Sequence, residues 1–218
     1  MTPWIAKPVP FNIGQGAAAA GATPPTELFD ENYEDATPWS FVNTQWTVDA
    51  GGNGLLLGTN VPDNVNSQAS RSMGFSMPAK FTWKIEFKCT SSTNNQYDCW
   101  VTYNTAFINS QLRGIGLHGN GATQMALCSL TGGNMSFSSW NTSLVQNTQY
   151  YLKIVNDDSN VTLDIFTGSD YATGQVGSTV SVTDPNLTDL SILQHCGRAD
   201  GGGGTTSLEI NNVSVFEP

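Results

Sequence analysis

Between Lys80 and Lys88 apolar and polar residues alternate strictly, with Phe81, Trp83, Ile85 and Phe87 on one side and Thr82, Lys84, Glu86 and Lys88 on the other. A period of two puts the apolar side chains on one face of an extended chain, so the segment predicts a half-buried β-strand. Tyr97 to Tyr103 alternates less strictly, and the polar tract from Thr90 to Gln96 between the two runs predicts a hairpin loop. Similar runs predict strands near 39–48, 54–59, 112–118, 124–129, 135–140, 150–155, 161–166, 176–182, 190–195 and 208–216. Asn156-Asp-Asp-Ser-Asn160 divides two of these runs and predicts a tight hairpin turn, because Asn and Asp tolerate left-handed backbone. About a dozen short strands at this spacing predict two packed antiparallel sheets, an all-β sandwich.

Composition agrees. Charged residues make up 12% of the 218-residue chain while Gly, Ser, Thr and Asn abound, which leaves little material for long helices. No repeat of fixed period is present, which disfavours a propeller or a solenoid. The Gly201–Gly204 run is too short for a domain linker and reads as a loop inside the sandwich. Residues 1–26 differ: Pro3, Pro8, Pro10, Pro24 and Pro25 and the run Gly16-Ala-Ala-Ala-Ala-Gly21 offer too little apolar surface for a core. They predict an extended N-terminal arm ahead of a sandwich domain spanning 27–218. Trp4 and Ile5, then Phe11 and Ile13, are spaced to fill separate apolar pockets along an extended path. Those pockets belong either to a partner or to the chain's own domain.

With 8 Lys plus Arg against 18 Asp plus Glu, a net charge of −10 repels phosphate, so nucleic acid and anionic membrane surfaces are not expected partners. No apolar run is long enough to span a bilayer. The first residues lack a basic segment followed by an apolar one, so a soluble protein is expected, kept in a cytosol or released without a secretory signal. Asn134, Asn141, Asn160, Asn186 and Asn212 begin Asn-x-Ser/Thr triplets, which a chain this rich in those residues produces by chance. Cys89, Cys99, Cys128 and Cys196 form no paired spacing, and free buried thiols are expected. A disulfide would most readily join Cys89 and Cys99, on neighbouring strands of the expected hairpin.

Candidate chemistry is sparse. Glu86 lies between Lys84 and Lys88 on one strand face and reads as a solvated position; Asp157 and Asp158 read as turn formers. Glu31, Glu34 and Asp35 form an acidic group that reads as a surface loop, with Ca²⁺ binding as the alternative. The two histidines, His118 and His195, come with no Gly-x-Ser-x-Gly elbow, no paired metal-ligand spacing and no phosphate or dinucleotide fingerprint. No catalytic set, metal or cofactor is therefore expected. Binding remains: Trp100, Tyr103 and Trp140 are strand aromatics on which sugar rings stack when they face outward, and His118 and Asn120 are placed on a nearby loop as orienting polar groups. The same aromatics equally suit a sandwich core.

Three stretches carry a family resemblance. Leu28-Phe-Asp-Glu-Asn-Tyr33 with Trp39, Trp46 and Gly54-Leu-Leu-Leu57, the hairpin Tyr150–Phe166, and the closing strand Leu208–Phe216 together resemble the concanavalin A-like, or laminin-G-like, jelly-roll superfamily. The resemblance covers 27–218 and implies a two-sheet antiparallel jelly roll. That superfamily includes glycan lectins, glycosidases, adhesion modules and virion surface domains. Its glycosidases carry carboxylates in a pattern like Glu-x-Asp-x-x-Glu on one strand, which this chain lacks. The resulting expectation is a non-enzymatic virion protein, a bacteriophage capsid decoration or tail appendage, assembled in the host cytoplasm and displayed on the virion surface. Its arm would hold it to a major capsid or tail protein as a homo-oligomer, and its jelly roll would contact glycans. The alternatives are a free-standing lectin module and an unusual glycoside hydrolase using Glu86 and Asp98.

Overall fold

The computed structural model describes residues 25–50, 54–62, 67–93, 96–102, 113–131, 134–183, 187, 189–198 and 204–217. The arm anchors Trp4, Ile5, Phe11 and Ile13 lie outside them, as does Tyr103. The described chain is built from strands: β1 Glu27–Glu31, β2 Ser40–Val42, β3 Trp46–Asp49, β4 Leu55–Pro62, β5 Gln68–Ser72, β6 Phe81–Ser92, β7 Gln96–Thr102 and β8 Arg113–Asn120. They continue as β9 Gln124–Thr131, β10 Asn134–Phe137, β11 Tyr150–Asn156, β12 Asn160–Phe166, β13 Val180–Thr183, β14 Ile192–Arg198 and β15 Thr205–Phe216.

Two antiparallel sheets result. One runs β13-β12-β11-β6-β15-β4-β3, and β1 also pairs with β15; the other runs β10-β9-β8-β7-β14-β5-β2. The long β15 lies beside β6 for nearly its whole length, while β4 flanks its first half and β1 its last. Phe81, Trp83, Ile85 and Phe87 all point into the core, as the alternation of β6 requires, and meet Trp46, Leu56, Ile115, Leu117 and Met125 there. Burying each such side chain contributes roughly 1.5–3 kcal/mol, which makes this inter-sheet layer the main source of stability. The 156–160 turn joins β11 to β12 as expected, with Asp158 at φ 84° and Asp157 Oδ1 accepting the Ser159 and Asn160 N–H groups.

The tract between β6 and β7 is not a hairpin loop. β6 belongs to the eight-stranded sheet and β7 to the seven-stranded one, so the chain crosses between layers there. In a hairpin the two apolar faces would lie side by side; in a crossing they oppose each other, and the rings of Phe87 and Tyr97 stack 5.3 Å apart. Both arrangements leave the same alternation in the sequence. Cys89 and Cys99 consequently sit on opposite sheets, and all four cysteines are free and buried. Gly119 makes room for this contact, since a Cβ on it would fall 2.0 Å from the Tyr97 ring. The 39–48 run breaks into β2 and β3 with Asn43 at φ 75° between them, and the polar strand β5, with no alternation to reveal it, was not expected.

Candidate functional site

The outward face of the seven-stranded sheet carries a compact group of polar and aromatic side chains. Tyr97, Cys99 and Val101 of β7 point into the core, so Asp98 points the other way, and the ladder places it opposite His118 on β8. Asp98 Oδ1 and His118 Nδ1 meet at 2.6 Å, with both side chains buried. The other carboxylate oxygen of Asp98 has no hydrogen-bond partner among the described residues. His118 in turn faces Ala126 on β9, whose methyl leaves the space above the imidazole open to rings from further along the chain.

A local irregularity brings those rings in. Phe137 pairs with Cys128 at the end of β10, and Ser138 follows in step opposite Leu127, its N–H donating to the Leu127 carbonyl at 2.9 Å. The next bridge joins Asn141 to Met125, which leaves Ser139 and Trp140 together opposite Ala126 alone. This is a β-bulge, which bends a strand and re-aims its side chains. The Ser138 hydroxyl stabilises it by accepting the Leu127 N–H at 3.0 Å and donating to the Ser139 carbonyl at 2.7 Å. Phe137 and Trp140 then lie 5.4 and 5.3 Å from the His118 ring, tilted at 60° and 58°. Both remain partly exposed, at 42% and 38%.

Beside Trp140 a cleft of about 310 Å³ opens, lined by Ser139, Trp140, Asn141, Thr142, Ser143, Gly177, Ser178 and Val180. It lies at the side of the sandwich where β9 and β13, from different sheets, approach each other. Asn141 ties the two walls together: its amide donates to the Val176 carbonyl at 2.7 Å and its carbonyl accepts the Ser143 N–H at 3.1 Å. Gly177, at φ +69°, permits the close approach, because a Cβ there would fall 2.5 Å from Asn141 Nδ2. The Asn141 triplet is thus committed to structure.

Of the residues expected to bind ligand, Trp140 lines the cleft and the His118 ring lies beside that of Trp140. His118 is buried within β8 and not on a loop, because the strand runs on to Asn120. Asn120 lies at that strand's end, where its amide donates to Gln124 at 3.2 Å, away from the cleft lining. Trp100 sits on β7, with only its backbone among the described parts. Phe137 and the hydroxyl residues around Trp140 were missed, although the run Ser138-Ser-Trp-Asn-Thr-Ser143 sets one indole among five small polar side chains.

The acidic candidates separate in space. Glu86 projects from the outward face of the eight-stranded sheet and Asp98 from that of the other sheet, so both layers and the core lie between them. Sheets pack about 10 Å apart, and glycosidase carboxylates must lie within about 5–9.5 Å of each other. Glu86 is half-buried and not solvated as expected; burial and then Asp30 push its carboxyl up. Neither flanking lysine pairs with it: Lys88 bonds Glu209 at 2.9 Å, and Lys84 lies over the rings of Phe216 and Tyr171 at 4.7 and 4.9 Å. Glu31 leaves the expected surface group altogether, being buried against Arg71 and accepting the Tyr33 N–H at 2.7 Å, while Glu34 and Asp35 are exposed. His195 faces the core among Tyr33, Trp39 and Trp46, where burial holds it down to about 3.

No protein-family model and no curated protein sequence matches the chain. Solved structures do resemble it in shape. The exoplasmic/lumenal domain of VIP36, in a form bound to Ca²⁺ and Man3GlcNAc, superposes with a TM-score of 0.63 at 11% identity over 89% of this chain and 90% of that one. The fold the chain shares with that domain is a two-sheet antiparallel jelly-roll sandwich. The CBM2 module of the evolved Dit of Lactobacillus casei BL23 phage J-1 matches at TM-score 0.54 and 11% identity over 88% and 95% of the two chains. The GH43 protein BlXynB from Bacillus licheniformis matches at TM-score 0.58 and 11% identity over 87% of this chain but 39% of its own. The same fold thus recurs in a glycan-bound lumenal domain, a phage module and part of a GH43 protein, and function has to be argued from the site.

Proposed function

We propose that the jelly roll is a non-enzymatic carbohydrate-binding module that holds a sugar in the Trp140 cleft. One observation carries this: a partly exposed indole forms a wall of a cleft otherwise lined mainly by hydroxyl and amide side chains. A pyranose has an apolar C–H face that stacks on an aromatic ring and a rim of hydroxyls that bond to small polar groups, so the two surfaces are complementary. Support for a non-catalytic role comes from the opposed placement of Glu86 and Asp98. Screening the full chain against an array of glycans tests the reading; a blank across all sugar classes refutes it.

The proposed setting is a virus particle, with the jelly roll as a capsid decoration or tail appendage on the virion surface. The likeness to a phage carbohydrate-binding module and the Pro/Ala-rich sequence of residues 1–26 support this. An extended arm threaded over a major capsid or tail protein sums many modest contacts, and symmetric copies follow from a symmetric lattice. Deleting residues 1–26 is then expected to abolish incorporation into particles while the domain stays folded and keeps its sugar. Unchanged incorporation refutes the arm's role, and absence of the full chain from particles leaves a free-standing lectin module.

A further inference from the structure

Resting on the carbohydrate reading, we infer that the Trp140 cleft selects an uncharged sugar ring and holds it without a metal ion. None of the eight described residues that line it is ionisable. Their hydroxyls are another matter: those of Ser139, Thr142, Ser143 and Ser178 make no hydrogen bond among the described residues. Each offers one donor and two acceptor positions and can rotate to suit its partner. A neutral sugar hydroxyl, itself donor and acceptor, is matched by such a set. A carboxylate or sulfate is acceptor-only, and the described lining of the cleft holds no Lys or Arg to balance its charge.

Two further features act in the same direction. The chain's net charge of −10 repels anionic glycans before they reach the cleft. Calcium takes six to eight oxygen ligands, with carboxylates prominent among them, and no carboxylate is found among the described residues that line this cleft. The amide among its lining residues, Asn141, is already bonded at both ends to Val176 and Ser143. Sugar recognition here therefore consists of stacking on Trp140 and bonds to rotatable hydroxyls. A cleft of 310 Å³ lies at the small end of the range for ligand pockets, roughly 300–1,000 Å³, which suits one ring and part of its neighbour.

The test is titration calorimetry on the full chain with neutral oligosaccharides of glucose, galactose, mannose and N-acetylglucosamine, and with their sialylated or uronate counterparts. Each titration is run with Ca²⁺ and with EDTA. Neutral sugars are expected to bind equally in both buffers, acidic counterparts at least ten-fold more weakly, and Trp140→Ala at least ten-fold more weakly than the wild-type chain. Loss of binding in EDTA, a preference for the acidic sugars, or undiminished binding by Trp140→Ala overturns the inference while leaving carbohydrate binding in place. Binding of no sugar at all overturns both.

Discussion

The Asp98 carboxylate and the His118 imidazole meet at 2.6 Å on the outward face of the seven-stranded sheet, with the His118 ring 5.3 Å from that of Trp140. Removing one member of a buried hydrogen-bonded pair leaves the other unsatisfied, which typically costs about 1–3 kcal/mol. Asp98→Ala is expected to destabilise the domain by that amount in urea or guanidinium unfolding, and to loosen the seat of Trp140. A loss below about 1 kcal/mol, the range of exposed ion pairs, would show that the pair is solvated.

Gly177 is the point at which the two walls of the cleft touch. Gly177→Ala places a methyl against the Asn141 amide and forces a side chain onto positive φ. Stability is expected to fall by about 1–2 kcal/mol, and sugar affinity to fall as well, because Asn141 joins the walls. Differential scanning calorimetry paired with sugar titration checks both; a variant with native affinity would show that the walls hold without this contact.

His195 makes stability depend on acidity. Burial holds it at about 3, against an ordinary 6.5. Below about 6.5 the unfolded chain takes up a proton that the folded one refuses, so its contribution is complete above that value. It is lost at up to about 1.4 kcal/mol per pH unit as acidity increases toward 3. Unfolding free energies at pH 7, 5.5 and 4 should show this slope, flattened in His195→Phe. A slope identical in the variant would assign the loss to other groups.

All four thiols are buried, and burial pushes Cys89 up to about 11. The thiolate is the reactive form, so alkylation is suppressed in the folded state. Iodoacetamide at neutral pH should leave the native chain unmodified and label four sites in denaturant without prior reduction. Fewer than four labels there would reveal a disulfide.

The strand content was legible because burial on one face imposes alternation, and β6, β11 and β15 carry that signal plainly. β5 escaped because Gln68-Ala-Ser-Arg-Ser72 has one buried apolar residue and no alternation. The cleft was half legible. Trp140 was marked by residue type, whereas the bulge that aims it arises from a mismatch between Ser138–Asn141 and Met125–Leu127, which only the pairing of strands defines.

The sequence by itself determined an all-β chain, its hairpin at 156–160 and its acidic character, since these follow from local backbone preference and from counting charges. Tertiary structure alone decided that β6 and β7 lie in different sheets, that Glu86 and Asp98 face opposite ways, and that His118 sits beside Trp140. Alternation tells which side of a strand is buried. It is silent on which sheet the strand joins, because either partner buries the same apolar face.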